Sequence, residues 1–146
     1  MSSPPQAPPE LPWPPATDLS ATYDLHCHCG TIRYTITVSP PLYPEHTQGR
    51  EQYTAVECTC SWCARHGEIC VHPLSKDVKW THGLEQRGEY RFANKIAPHW
   101  FCKVCASTLG GDLGPMMRSM GMEERLTINV CLFPRLLPPP PFATQT

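Results

Sequence analysis

Residues 31–38 read TIRYTITV, and the reading of this stretch decides the fold. Ile32, Tyr34, Ile36 and Val38 fall on one face and Thr31, Arg33, Thr35 and Thr37 on the other, which is the period of two that a half-buried strand requires. A second alternating run, RLTINVCLF at 125–133, sets Leu126, Ile128, Val130 and Leu132 on one side. Shorter strand signals lie at 53–57, 68–72, 78–80 and 89–93, with turn-rich connections between them, including a long loop at 39–52. Only 61–66 offers a helical turn, closed by Gly67. The expectation is a mainly β fold of short antiparallel strands in packed, twisted sheets with little helix.

The 146 residues suit one domain. Of the 18 prolines, seven lie in the first fifteen residues and four at 138–141. Segments so poor in aliphatic residues do not bury enough surface to offset the entropy of ordering. Residues 1–21 and 135–146 are therefore expected to be disordered Pro-rich tails flanking a folded unit at 22–134. Pro9 and Pro12 have the spacing of a polyproline ligand, with a solvated tail as the plainer reading.

Twelve Lys and Arg against thirteen Asp and Glu give a net charge of -1, and no basic run is present to neutralise phosphates. Nucleic acid is not an expected partner. No apolar run approaches the ~20 residues of a membrane helix, and the N-terminus lacks the basic and apolar regions of a secretory leader. The expected setting is the cytoplasm, with no membrane partner. In that reducing compartment clustered cysteines point to metal or redox chemistry rather than disulfides, as does their odd total of nine.

Seven of the nine cysteines form three groups: Cys27 with Cys29, Cys58 with Cys60 and Cys63, and Cys102 with Cys105. If 26–30 is extended, Cys27 and Cys29 point one way and His26 and His28 the other, leaving the histidines facing solvent, behind the ligands, or on a metal themselves. Seven ligands divide as four plus three. Cys27, Cys29, Cys102 and Cys105 would make a closed four-thiolate zinc site, a structural staple that can contribute on the order of 10 kcal/mol. Cys58, Cys60 and Cys63 are left with an open fourth position, the mark of a catalytic zinc, unless His66, Cys70, His72 or Cys131 fills it. Three thiolates blunt a zinc toward water, so an exchangeable thiol suits that position better than hydroxide, and the chemistry suggested is making or breaking a carbon–sulfur bond.

The motifs HCHCG at 26–30, CTCSWCARHG at 58–67, HWFCKVCAS at 99–107 and LTINV at 126–130 resemble the glutathione-dependent formaldehyde-activating enzyme family, which includes the centromere protein V-like proteins and shares the Mss4-like fold. The resemblance implies a zinc-stapled fold with a structural zinc on Cys27, Cys29, Cys102 and Cys105 and a catalytic zinc on Cys58, Cys60 and Cys63. It also implies a carbon–sulfur lyase that condenses a small electrophile with glutathione or another thiol, as in formation of S-hydroxymethylglutathione. The alternative is a non-catalytic zinc-binding interaction module on the same scaffold. The chain departs from the family at Ala106, where glycine is usual, so that turn must either avoid a positive φ or carry strain. His99 is a candidate acid, base or ligand orienter, with a structural histidine as the plainer reading. Arg65, Asn94 and Lys95 are candidates for meeting carboxylates, or ordinary surface groups. Trp62 and Trp100 either shield the metals or simply pack.

Overall fold

The alternating stretch forms strand β2 (Arg33–Val38), and its apolar face, Tyr34, Ile36 and Val38, is buried together with Ile32 just before it. Each such side chain removed from water contributes about 1.5–3 kcal/mol, which pins the register of the strand. β2 is the centre of a three-stranded antiparallel sheet, between β1 (Ala21–His26) and β5 (Val78–His82). The computed structural model describes residues 11–132 and the backbone of Phe142–Gln145.

A second sheet holds the remaining strands: β3 (Ala55–Cys58), β4 (Ile69–Val71), β6 (Arg87–Tyr90), β7 (His99–Cys102), β8 (Thr108–Asp112), β9 (Leu126–Asn129) and β10 (Phe142–Gln145). Their order is β10-β3-β4-β9-β8-β7-β6, antiparallel except where β10 runs parallel to β3. Two short helices, α1 (Ser61–His66) and α2 (Gly114–Ser119), complete the mainly β architecture. The sheets meet through aromatic contacts. Trp80, packed on Tyr34 of its own sheet at 4.5 Å, meets Trp100 of the other edge-on at 5.6 Å, and the Arg87 guanidinium lies 4.8 Å from the Trp80 ring centre and 3.9 Å from that of Trp100. Trp100 is thus a core residue between the sheets.

Three sequence expectations are corrected. The segment 11–21 is not a free tail: Trp13 is only 9% exposed, packs 5.1 Å from the His72 ring, and has the Arg125 guanidinium 4.8 Å from its ring centre. Thr17 and Leu19 are also tied to the Ser39 hydroxyl. One buried tryptophan supplies the apolar area that the prolines lack. At the other end, part of the expected tail, Phe142–Gln145, is a strand beside β3. Pro9 and Glu10 of the polyproline spacing at 9–12 lie outside the described residues.

The third correction concerns β9, which stops at Asn129 instead of running to 133. The Asn129 side chain accepts from the Cys131 N–H at 3.1 Å and donates to the Thr108 carbonyl at 3.1 Å, drawing Val130–Leu132 into a 3-10 turn. A buried amide capable of bonding its own backbone two residues on ends a strand this way. The long loop at 39–52 and the helical turn at 61–66 stand as read, the latter closed by Gly67 at φ 63 with its N–H on the Cys63 carbonyl.

Candidate metal centres

Two cysteine groups are placed to hold metal ions. In the first, the sulfurs of Cys27, Cys29, Cys102 and Cys105 all lie within 4.8 Å of one another, with Cys27 and Cys29 3.5 Å apart and Cys29 and Cys102 3.9 Å apart. These are spacings that one tetrahedral ion with ~2.3 Å metal–sulfur bonds can span. The group ties the end of β1 to the β7–β8 turn, 73 residues from Cys29 to Cys102.

The pair 27–29 does not meet by strand alternation as expected. β1 ends at His26, and the chain folds into a tight turn in which Gly30 N–H bonds the Cys27 carbonyl and Cys27 N–H bonds the Ile32 carbonyl. Extended backbone would hold side chains two residues apart at nearly 7 Å, whereas the turn brings the sulfurs together. His26 binds the Cys27 carbonyl through Nδ1 at 2.6 Å, and neither His26 nor His28 joins the sulfur group.

Backbone N–H groups point at these sulfurs. Ile32 donates to Cys27 at 3.3 Å and Val104 to Cys102 at 3.4 Å. Burial pushes Cys102 up to about 11. Burial also opposes ionisation of Cys105, yet the Ser107 hydroxyl and backbone N–H bonds outweigh it and bring that thiol down to about 5. One ready thiolate beside one reluctant thiol is a set in which a cation takes the place of shared protons.

The closing turn carries a visible cost. Ala106 sits at φ 63, so the second of the two alternatives read from the sequence holds: the turn keeps its left-handed geometry and alanine bears the strain. Its N–H still bonds the Cys102 carbonyl at 2.8 Å.

The second group is Cys58, Cys60 and Cys63, whose sulfurs also lie within 4.8 Å of one another. Cys58 ends β3, Cys60 is the N-cap of α1, and Cys63 is one turn along. The Cys60 sulfur accepts from the Cys63 N–H at 3.3 Å, the bond a serine or aspartate side chain makes at an ordinary cap. A hydrogen bond from Cys63 draws Cys58 down to about 5, and the same bond holds the Cys63 proton on, pushing Cys63 up.

Among the described residues no fourth Cys, His, Asp or Glu joins this trio. His66 stacks on Trp62 at 4.0 Å and bonds the Trp62 carbonyl. His72 lies buried under Trp13, Cys131 is exposed after β9, and Cys70 is turned toward Glu68 at 3.7 Å.

Glu68 is the site residue that sequence reading missed. It is 1% exposed, accepts from the Trp62 indole N–H at 3.2 Å, and sits 3.8 Å from the Cys63 sulfur and 3.7 Å from that of Cys70. Glutamate at the start of a strand ordinarily faces water, so nothing in the sequence marks this one as buried. His99 packs 5.2 Å from Trp62 and 4.8 Å from Phe92, and burial depresses its pKa, keeping the imidazole neutral at pH 7. Arg65 lies on α1 beside these rings. Asn94 caps the Ile96 N–H, and Lys95 occupies a left-handed turn.

Comparison adds the fold. The structure resembles the crystal structure of a Rhodobacter sphaeroides protein from structural genomics, with a TM-score of 0.58 and 24% sequence identity over 82% of this chain and 99% of that one. No protein-family profile matches the chain, and no curated protein matches it. No helix among the described residues is long and apolar enough to cross a membrane.

Proposed function

We propose that this chain is a zinc-dependent enzyme of carbon–sulfur chemistry, joining glutathione or another thiol to a small aldehyde or related electrophile, or cleaving the adduct, in the manner of the glutathione-dependent formaldehyde-activating enzymes. The observation that carries the reading is the trio Cys58, Cys60 and Cys63, convergent on one point with no fourth described donor. Sulfur-only donor sets suit zinc. Cys27, Cys29, Cys102 and Cys105 would hold a second, structural zinc.

Cys58, Cys60 and Cys63 would hold the zinc, whose positive charge would favour the thiolate form of an incoming thiol. The chain's own contributions follow from its geometry. The Cys63 N–H donates to the Cys60 sulfur and so fixes where that sulfur sits at the helix cap. Trp62, fixed by Glu68, walls the trio's helix from water, and neutral His99 beside it is able to take and return a proton. In the synthetic direction the carbon–sulfur bond forms as the carbonyl π bond opens, and the thiol proton ends on the carbonyl oxygen. No net oxidation occurs, so no redox cofactor is needed.

The test is adduct formation from glutathione and formaldehyde, followed by proton NMR against the uncatalysed rate, in wild type and Cys60→Ser. Serine keeps the helix cap and removes a metal-binding sulfur. Turnover lost with the fold intact supports the reading. A folded Cys60→Ser protein that retains full turnover overturns it, and two equally inert zincs with no turnover favour the interaction module.

A further inference from the structure

A pocket of about 250 Å³ opens on the outer side of α1, lined by Ser61, Trp62, Arg65, His66, Tyr90 and Phe92. At 100° per residue Ser61 and Arg65 lie on the side of α1 away from Cys60 and Cys63, Trp62 and His66 form the flank nearer Cys63, and none of the three sulfur-bearing residues lines the pocket. Its walls are flat rings held nearly parallel: Trp62 to Tyr90 at 24°, Trp62 to Phe92 at 15°, and Tyr90 to Phe92 at 23°. Near-parallel rings suit a flat guest that extends the stack. An aromatic cage for a quaternary ammonium instead needs walls turned against one another.

The rings are fixed yet open to solvent. Trp62 is anchored through its indole N–H to the buried Glu68, while Tyr90 remains 49% exposed. The loop after Tyr90 holds two non-glycine residues in left-handed backbone, Ala93 at φ 54 and Lys95 at φ 58, and the Arg91 guanidinium bonds the carbonyls of Lys95 and Ile96. Strain of about 1–3 kcal/mol per residue, spent to present an aromatic surface to water, is characteristic of a binding site rather than of packing.

Charge narrows the guest. The lining has one permanent cation, Arg65, and no acidic residue. One guanidinium nitrogen of Arg65 is occupied by the Ser61 carbonyl at 3.0 Å, which fixes the side chain along the helix and leaves its other N–H groups for an anion. The volume falls just below the ~300–1,000 Å³ of common small-molecule sites, so the guest has one or two rings.

We propose that this pocket binds a small planar aromatic or conjugated carboxylate, with its ring on Trp62, Tyr90 and Phe92 and its carboxylate on Arg65. The pocket shares Trp62 with the wall of the trio's helix but none of the trio's sulfurs, so pocket binding and turnover are read by separate assays. Isothermal titration of the zinc-loaded full chain with benzoate and cinnamate tests it, with cyclohexanecarboxylate as the non-planar acid and benzyl alcohol as the uncharged ring. The expected result is binding of the planar acids at least tenfold tighter than of either control. Tyr90→Ala should weaken the planar acids at least fivefold, and Arg65→Gln should bring benzoate down to the level of benzyl alcohol. Circular dichroism and zinc content check that both exposed-site variants fold. Equal affinity for benzoate and cyclohexanecarboxylate, or unchanged benzoate binding in folded Tyr90→Ala, overturns the proposal. Cys60→Ser should bind benzoate as wild type does, so loss of turnover and loss of pocket binding remain separate outcomes.

Discussion

Acidification should destabilise this protein through His72 well before general carboxylate protonation does. His72 is 7% exposed beneath Trp13, its Nδ1 has no hydrogen-bond partner, and Arg125 donates to its carbonyl at 2.7 Å. Burial first, and the Arg125 charge second, push its pKa from 6.5 down to about 4. Between those values the unfolded chain binds a proton that the folded chain refuses, so stability rises with pH there. The contribution is complete above pH 6.5 and is lost as pH falls toward 4. At 1.36 kcal/mol per pH unit the whole effect is ~3 kcal/mol, of which about 2 kcal/mol is lost by pH 5. Because cysteine–metal sites also weaken in acid, the quantity to measure is a difference. Guanidinium unfolding at pH 7 and pH 5 should show a drop about 2 kcal/mol larger in wild type than in His72→Phe. Trp13→Ala, which opens the ring to water, should move the His72 proton NMR titration back toward 6.5. Equal drops in wild type and His72→Phe, or a wild-type His72 titrating near 6.5, would refute the reasoning.

Ala106→Gly removes a left-handed alanine at φ 63 and should raise stability by about 0.5–1 kcal/mol, the strain relieved less the entropy that glycine adds to the unfolded chain, as read by thermal or denaturant unfolding of the zinc-loaded protein. Gly110→Ala should cost more than about 3 kcal/mol or prevent folding, because a Cβ there would lie 1.9 Å from the Thr127 carbonyl oxygen across the β8–β9 pairing; a soluble variant with wild-type melting would contradict the register. Cys102→Ser should unfold, or lose most of its thermal stability, since it removes one sulfur of the proposed metal staple between β1 and the β7–β8 turn, whereas Cys60→Ser should retain its circular dichroism spectrum. Metal analysis should then find one zinc in folded Cys60→Ser and two in wild type.

Local pattern carried much of this protein. The alternation of 31–38 fixed which face of β2 is buried, because strand side chains repeat every two residues whatever surrounds them. Cysteine spacing was equally legible: residues two or three apart on a turn already share one location, so the trio 58, 60 and 63 and the pairs 27/29 and 102/105 could be named before any fold was known. The α1 turn and its Gly67 stop are likewise local, governed by capping and a single positive φ.

What only tertiary structure decided are contacts between segments that the sequence keeps apart. Three strands separate β3 from β7 in the large sheet, yet Trp62 of α1, which follows β3, lies against Tyr90 and His99 and so makes the aromatic pocket. The burial of Glu68 beside Cys63, of Trp13 over His72, and of β10 along β3 belongs to the same class. Composition argued against the last two, since proline content describes an average over a segment, while a single tryptophan or a four-residue strand is ordered by the one surface that receives it.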